Sequence, residues 1–184
     1  MIRPEEIGTD KAAYERRKVV FLARDPRDVI VSMYFQRTRR DASYKDSLSD
    51  LIFGEVGGVD TLIRYYNIWA ESLAGIENKL LIKYEDMRGD TEKVLTDLLK
   101  FMGHEPDSAI VHNAVAASSF ERMKKIEHDR PFDRTWLQAG NVNDEESYKV
   151  RRGKVGGYVD YLSEAELKRL NRIVSENLSP LFGY

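Results

Sequence analysis

Arg24 stands directly after the apolar run Lys18 to Ala23 (KVVFLA), and Tyr84 directly after a second such run, Leu80 to Lys83 (LLIK). A guanidinium offers a planar fork of donors to phosphate oxygens, and an aromatic ring offers a face on which a base can stack. The pair describes a site for an anionic and aromatic ligand. A further basic run is Arg151-Arg152-Gly153-Lys154. Each feature also has a plainer reading: Arg24 can pair with Asp25 or Asp28, and the basic run can be an exposed loop.

The composition narrows the chemistry. The 184 residues contain no cysteine, which removes disulfides, thiolate nucleophiles and the usual structural zinc sites. His104, His112 and His128 are too widely spaced to predict a metal centre, and each reads as a surface or capping residue. With 29 basic against 31 acidic side chains, a general nucleic-acid binder is not expected. No 18 apolar residues run together, and Met1 to Glu6 has no apolar stretch behind its charges, so a soluble, cytoplasmic protein without a membrane partner is expected.

The elements that must position these residues follow from the pattern. Lys18 to Ala23 reads as a strand buried on both faces. Asp25 as cap, Pro26 at the first helical position and Asp28 in the first turn predict a helix from about Pro26 to Arg39. A short helix follows near Leu48 to Phe53, then a longer one from about Asp60 to Ala74, with Leu62, Tyr66, Trp69 and Leu73 on one face. Leu80 to Lys83 is the second strand. Asp90 and Gly103 bracket another helix, Asp107 caps the next, and Ser118 with Glu121 and Ser163 with Glu166 have the spacing of capping boxes. The polar stretch from about Glu127 to Val150 shows little periodicity and reads as a long binding loop or lid. Alternating strands and helices predict one α/β domain over residues 1–184, its parallel sheet covered by helices and its ligand beyond the carboxyl ends of the strands.

Three blocks, in order, resemble the cytosolic-type sulfotransferase family: Val20 to Tyr34, with FLARDPRDVIVSMY within it; Leu81 to Met87 (LIKYEDM), followed by a helix ending Lys100-Phe101-Met102-Gly103; and the span from Ser118-Ser119-Phe120-Glu121-Arg122-Met123 to Arg151-Arg152-Gly153-Lys154-Val155-Gly156. The resemblance implies a three-layer α/β fold with a parallel sheet flanked by helices, of the P-loop nucleoside triphosphate hydrolase-like kind. It implies the cofactor 3′-phosphoadenosine 5′-phosphosulfate (PAPS), whose product is adenosine 3′,5′-bisphosphate (PAP), with no metal. Arg24 and Ser32 would hold the 3′-phosphate, Tyr84, Ser118 and Phe120 would line the adenine, and Arg151, Arg152 and Gly153 would close over the phosphate. Arg152 stands where the family more often has lysine, which keeps the charge. By pattern alone Ser32 is an ordinary polar helix residue, Phe120 a core aromatic and Ser118 a helix cap.

The family's Lys-x-Gly-x-x-Trp loop and its general-base histidine have no counterpart in this sequence, so no catalytic residue is assigned. The expectation is a chain incomplete at its N-terminus, the C-terminal part of a sulfotransferase that moves a sulfuryl group to a hydroxyl or amine of a small molecule. An alternative is a non-catalytic nucleotide-binding or interaction module that kept the phosphate grip. A nucleotide kinase is disfavoured because no glycine-rich loop with lysine follows a strand. The stretch Val159 to Lys168 (VDYLSEAELK) lacks the family's dimer motif, so that form of dimer is not expected, and the acceptor cannot be read from the sequence.

Overall fold

A computed structural model describes residues 2–129 and 139–184. Part of the polar stretch expected to be a lid, residues 130–138, lies outside them. Contacts group the chain into two compact units: Met1–Val31, Asp46–Gly89 and Gly156–Tyr184 in the first, and Ser32–Lys45 and Asp90–Val155 in the second.

The first unit is built on two parallel strands, β1 (Val19–Ala23) and β2 (Lys79–Lys83), paired in step from Val19 opposite Lys79 to Ala23 opposite Lys83. In sequence between them lies the long helix expected from about Asp60 to Ala74, here Val59–Gly75. In chain order the helices are α1 (Pro26–Phe35), α2 (Leu48–Phe53), α3 (Val59–Gly75), α4 (Tyr84–Gly89), α5 (Thr91–Met102), α6 (Ser108–Ala117), α7 (Phe120–Asp129) and α8 (Glu164–Asn177). The arrangement is α/β, a parallel sheet with helices against it.

The core of this unit gathers Val19, Phe21 and Ala23 from β1, Tyr66 and Leu73 from α3, Ile76, and Phe182 near the C-terminus. Phe21 sits 5.9 Å from Tyr66, 5.5 Å from Trp69 and 5.7 Å from Phe182 between ring centroids. Such contacts add about 0.5–1.5 kcal/mol each beyond the burial itself. One expectation fails here. β1 alternates between buried and exposed residues, with Val20 and Leu22 at 42% and 56% exposure, so it is covered on one face and not on both. An apolar run names no faces, and the side chains of successive residues point to opposite sides.

Caps explain most helix boundaries. Ser47 and Ser163 each form a capping box, with Asp50 and Glu166 respectively. α8 buries Leu170 and Val174 fully and Leu167 partly, and its C-cap Leu178 is partly buried too.

In the second unit, Asp90 and Asp107 accept backbone N–H groups at the starts of α5 and α6, and Gly103 closes α5 in the left-handed conformation. Ser118 does not start a helix as expected. It ends α6, its hydroxyl donating to the Ala114 carbonyl at 2.8 Å, and Ser119 accepts from Arg122 at 3.4 Å to begin α7. Beyond Phe35 the chain continues as a wider π-helical turn, Gln36–Arg40, rather than as regular helix to Arg39. There the Thr38 hydroxyl donates to the Tyr34 carbonyl at 2.9 Å, and the Asp41 N–H reaches back five residues to Gln36 at 3.0 Å.

Candidate functional site

The turn between β1 and α1 carries Arg24 and Asp25, and hydrogen bonds hold it from three directions. Asp25 caps α1 by accepting the Arg27 N–H at 2.9 Å, while its carbonyl accepts from Val29 at 3.0 Å. The Tyr66 hydroxyl, reaching up from α3, donates to the Arg24 carbonyl at 2.7 Å and accepts the Arg24 N–H at 3.1 Å. Glu85, in the first turn of α4, accepts the Asp25 N–H at 3.0 Å and the Tyr184 hydroxyl at 2.8 Å. Burial, above all, pushes the phenols of Tyr66 and Tyr184 above their ordinary pKa; for Tyr184 the carboxylate of Glu85 adds to the rise. Both therefore stay protonated and able to donate.

Because β1 and β2 end level, Arg24 and Tyr84 leave the sheet side by side. The Arg24 guanidinium lies over the Tyr84 ring, 4.3 Å from its centroid. On its other flank is Asp28, with 3.5 Å between Nη2 and Oδ2. That separation is longer than the 2.7–2.9 Å of a charge-assisted hydrogen bond. The best bonds of the Asp28 carboxylate, which is 3% exposed, go instead to the backbone N–H groups of Gly156 at 2.8 Å and Tyr158 at 3.0 Å. Asp28 thus pairs with Arg24 and at the same time holds the backbone at Gly156 and Tyr158. Arg27 contrasts with this: it is locked on Asp25 through three bonds of 2.7–3.1 Å and on Asn171 at 2.7 Å, a structural arginine.

In the second unit, Ser32 is exposed on α1, four residues beyond Asp28 in sequence. Ser118 is exposed at the end of α6. Phe120, the first residue of α7, lines an open groove of about 540 Å³ together with Lys124, Lys125, His128 and Tyr148. Arg151 donates to Glu146 at 2.7 Å and stacks over Phe35 at 4.3 Å from its centroid. Arg152 is exposed, and Gly153 adopts φ +57°, a left-handed conformation that glycine takes without strain. Of the residues singled out in the sequence, Arg24 and Tyr84 are therefore in contact.

His112 pairs with Glu92 at 2.8 Å and His128 with Asp129 at 3.2 Å, both on exposed helix surface, and His104 is an exposed loop residue. Among the described residues no group of three metal-ligating side chains converges. No described helix is long and apolar enough to cross a membrane.

Sequence reasoning missed Tyr66 and Glu85 as parts of this machinery. Tyr66 was legible only as a core-stripe residue. A stripe tyrosine with a polar tip among Ile and Leu signals a buried partner, though not which one.

A guanidinium stacked on an aromatic ring, at the mouth of a parallel sheet and on a backbone turn fixed by two side chains, is suited to an anion attached to a planar ring. Comparison with known proteins agrees. The family profile described as "Sulfotransferase domain" matches residues 6–182. Cytosolic sulfotransferase 14 of Arabidopsis thaliana is 29% identical over 177 residues, covering 88% of this chain and 48% of that protein. Sulfotransferase 2B1 of Rattus norvegicus is 25% identical over 183 residues, covering 97% of this chain and 52% of the relative. This chain spans about half the length of the curated relatives it matches. Among solved structures, mouse sulfotransferase SULT7A1 complexed with PAP superposes with TM-score 0.69 at 20% identity, covering 88% of this chain and 58% of that one. Retinol dehydratase in a complex with retinol and PAP superposes with TM-score 0.67 at 26% identity, covering 88% of this chain and 47% of the other. With the match running across nearly its whole length, the chain belongs to the family of proteins with a sulfotransferase domain.

Proposed function

We propose that this chain supplies the PAPS-gripping part of a sulfotransferase acting on a small molecule with a hydroxyl or amine. The observation that carries the proposal is the Arg24–Tyr84 stack on a turn clamped by Tyr66 and Glu85. The donor set fits such a nucleotide: guanidinium groups for phosphate, a ring for the base and a left-handed glycine in a basic loop. Arg24 and Ser32 hold the 3′-phosphate, Arg151, Arg152 and Gly153 close over it, and Tyr84, Ser118 and Phe120 line the adenine. PAPS brings a sulfuryl group whose bond to the phosphate oxygen breaks as the acceptor oxygen or nitrogen bonds to sulfur and gives up its proton, leaving PAP. Arg24 contributes charge and orientation, Asp28 keeps Gly156 and Tyr158 in place, and Tyr66 fixes the height of Arg24 above the sheet. The two units are read as parts of one sulfotransferase domain working in the cytoplasm, a reading supported by a family match that runs through both and by relatives named cytosolic.

Calorimetry with PAP, adenosine 5′-monophosphate and ATP tests the grip, and release of PAP from PAPS in the presence of phenols, alcohols and amines tests the transfer. PAP is expected to bind tightest. ATP binding more strongly than PAP, or no nucleotide binding at all, overturns the reading. PAP binding without turnover identifies a gripping module that does not itself complete the transfer.

A further inference from the structure

We propose that Glu127 is a positioning residue for the Arg151-Arg152-Gly153 loop, acting through the backbone just ahead of it. The inference rests on the cofactor role proposed above for that loop. Glu127 sits in the last turn of α7 and is 5% exposed, an unusual place for a carboxylate. Its charge is matched by Arg40, from the π-helical turn, whose Nη1 donates to it at 3.1 Å; both side chains are almost wholly buried. The same carboxylate accepts two consecutive backbone N–H groups, Lys149 at 2.6 Å and Val150 at 2.8 Å. Arg40 adds a third tie by donating to the Ser147 carbonyl at 2.9 Å. Ser147 is itself buried, and its hydroxyl bonds both backbone groups of Asn141, at 2.6 and 2.9 Å.

One carboxylate and one guanidinium therefore fix the chain at three of the four residues from Ser147 to Val150, and the next residue is Arg151. Two successive amides directed at one carboxylate set the direction in which the chain leaves, because both peptide planes must face the same point. The basic loop starts from an anchored base. Glu127 is also kept from competing with a bound anion: its charge is matched by Arg40, while Arg151 has its own acid, Glu146. A carboxamide in its place keeps one acceptor, turns an N–H group toward a backbone N–H, and removes the negative charge beside the buried Arg40.

The test uses Glu127→Gln in the full chain and reads two quantities. The first is the ratio of affinities for PAP over adenosine 5′-monophosphate, by calorimetry, which isolates the contribution of the 3′-phosphate. The second is hydrogen exchange at the Lys149 and Val150 amides. The ratio is expected to fall roughly tenfold, the equivalent of one charge-assisted bond, while affinity for the monophosphate stays within about twofold. Both amides are expected to exchange faster. Faster exchange with an unchanged ratio removes the positioning role, and unchanged exchange removes the clamp itself. A wild-type ratio near one overturns the cofactor reading and the positioning role with it, while the exchange data still report on the clamp. Should Glu127→Gln fail to fold, Arg40→Lys retains the buried charge but loses the fork. It is expected to shift both quantities in the same direction, by less, and no shift in either overturns the proposal.

Discussion

Removing a single oxygen, in Tyr66→Phe, tests the clamp on which Arg24 stands. The ring would keep its neighbours, Phe182 at 4.9 Å and Phe21 at 5.9 Å, so no cavity forms. What is lost is a hydroxyl that donates at 2.7 Å and accepts at 3.1 Å, leaving the N–H and carbonyl of Arg24 without that partner. A buried polar group left unsatisfied costs about 1–3 kcal/mol, and Arg24 is partly open to water, which draws the total toward the lower end. With a urea slope of about 1–3 kcal/mol per molar, the midpoint should fall by roughly 0.3–1 M at constant slope. Urea titration followed by far-UV circular dichroism reads this directly. Tyr65→Phe is the control, since Tyr65 is 42% exposed and its neighbour's clamp stays intact. If Tyr66→Phe and Tyr65→Phe unfold at the wild-type midpoint, the hydroxyl does not hold the turn and the reasoning fails.

Arg24→Ala should weaken PAP binding at least about tenfold by calorimetry, the equivalent of 1.5 kcal/mol from lost charge-assisted bonds; unchanged affinity in a folded variant removes Arg24 from the site. Alkaline pH should destabilise the fold. Burial raises the pKa of Tyr66, Tyr158 and Tyr184 in the folded chain, so above about pH 10 the unfolded state holds fewer protons than the folded one and stability declines as pH rises. The stability of Tyr184→Phe should fall less steeply than wild type between pH 9 and 11, and parallel curves would refute the assignment. Ser163→Ala should cost about 1 kcal/mol by removing a capping box, whereas Ser118→Ala should change thermal stability by less than about 0.5 kcal/mol; equal losses would return the start of α7 to Ser118.

Local signals were legible wherever one residue's chemistry decides the structure. Asp25, Asp90, Asp107 and Ser163 all cap as their types and spacing require, because a cap closes within three residues. Ser118 misled because Ser119 lies beside it, and either hydroxyl can serve; the choice depends on where α6 ends. α1 gives no sequence warning of its wider turn, since neither proline nor glycine occurs between Phe35 and Arg40. The deeper misses were groups whose partners are distant in sequence. Tyr66 answers to a backbone 42 residues away, and Glu127 to a guanidinium 87 residues away. Glu127 stands in a polar stretch where burial of a charge leaves no trace in composition.

The in-step register of the two strands acts as a ruler for chain length. An extra residue spliced in after Leu81 would carry Tyr84 about 3.3 Å past Arg24 and reverse which side each later side chain faces. The same addition in the bend at Glu77 and Asn78, ahead of the paired segment, would leave the stack of guanidinium on ring level. Length variation among natural and engineered versions of this protein should therefore accumulate before Lys79 and be absent between Lys79 and Tyr84.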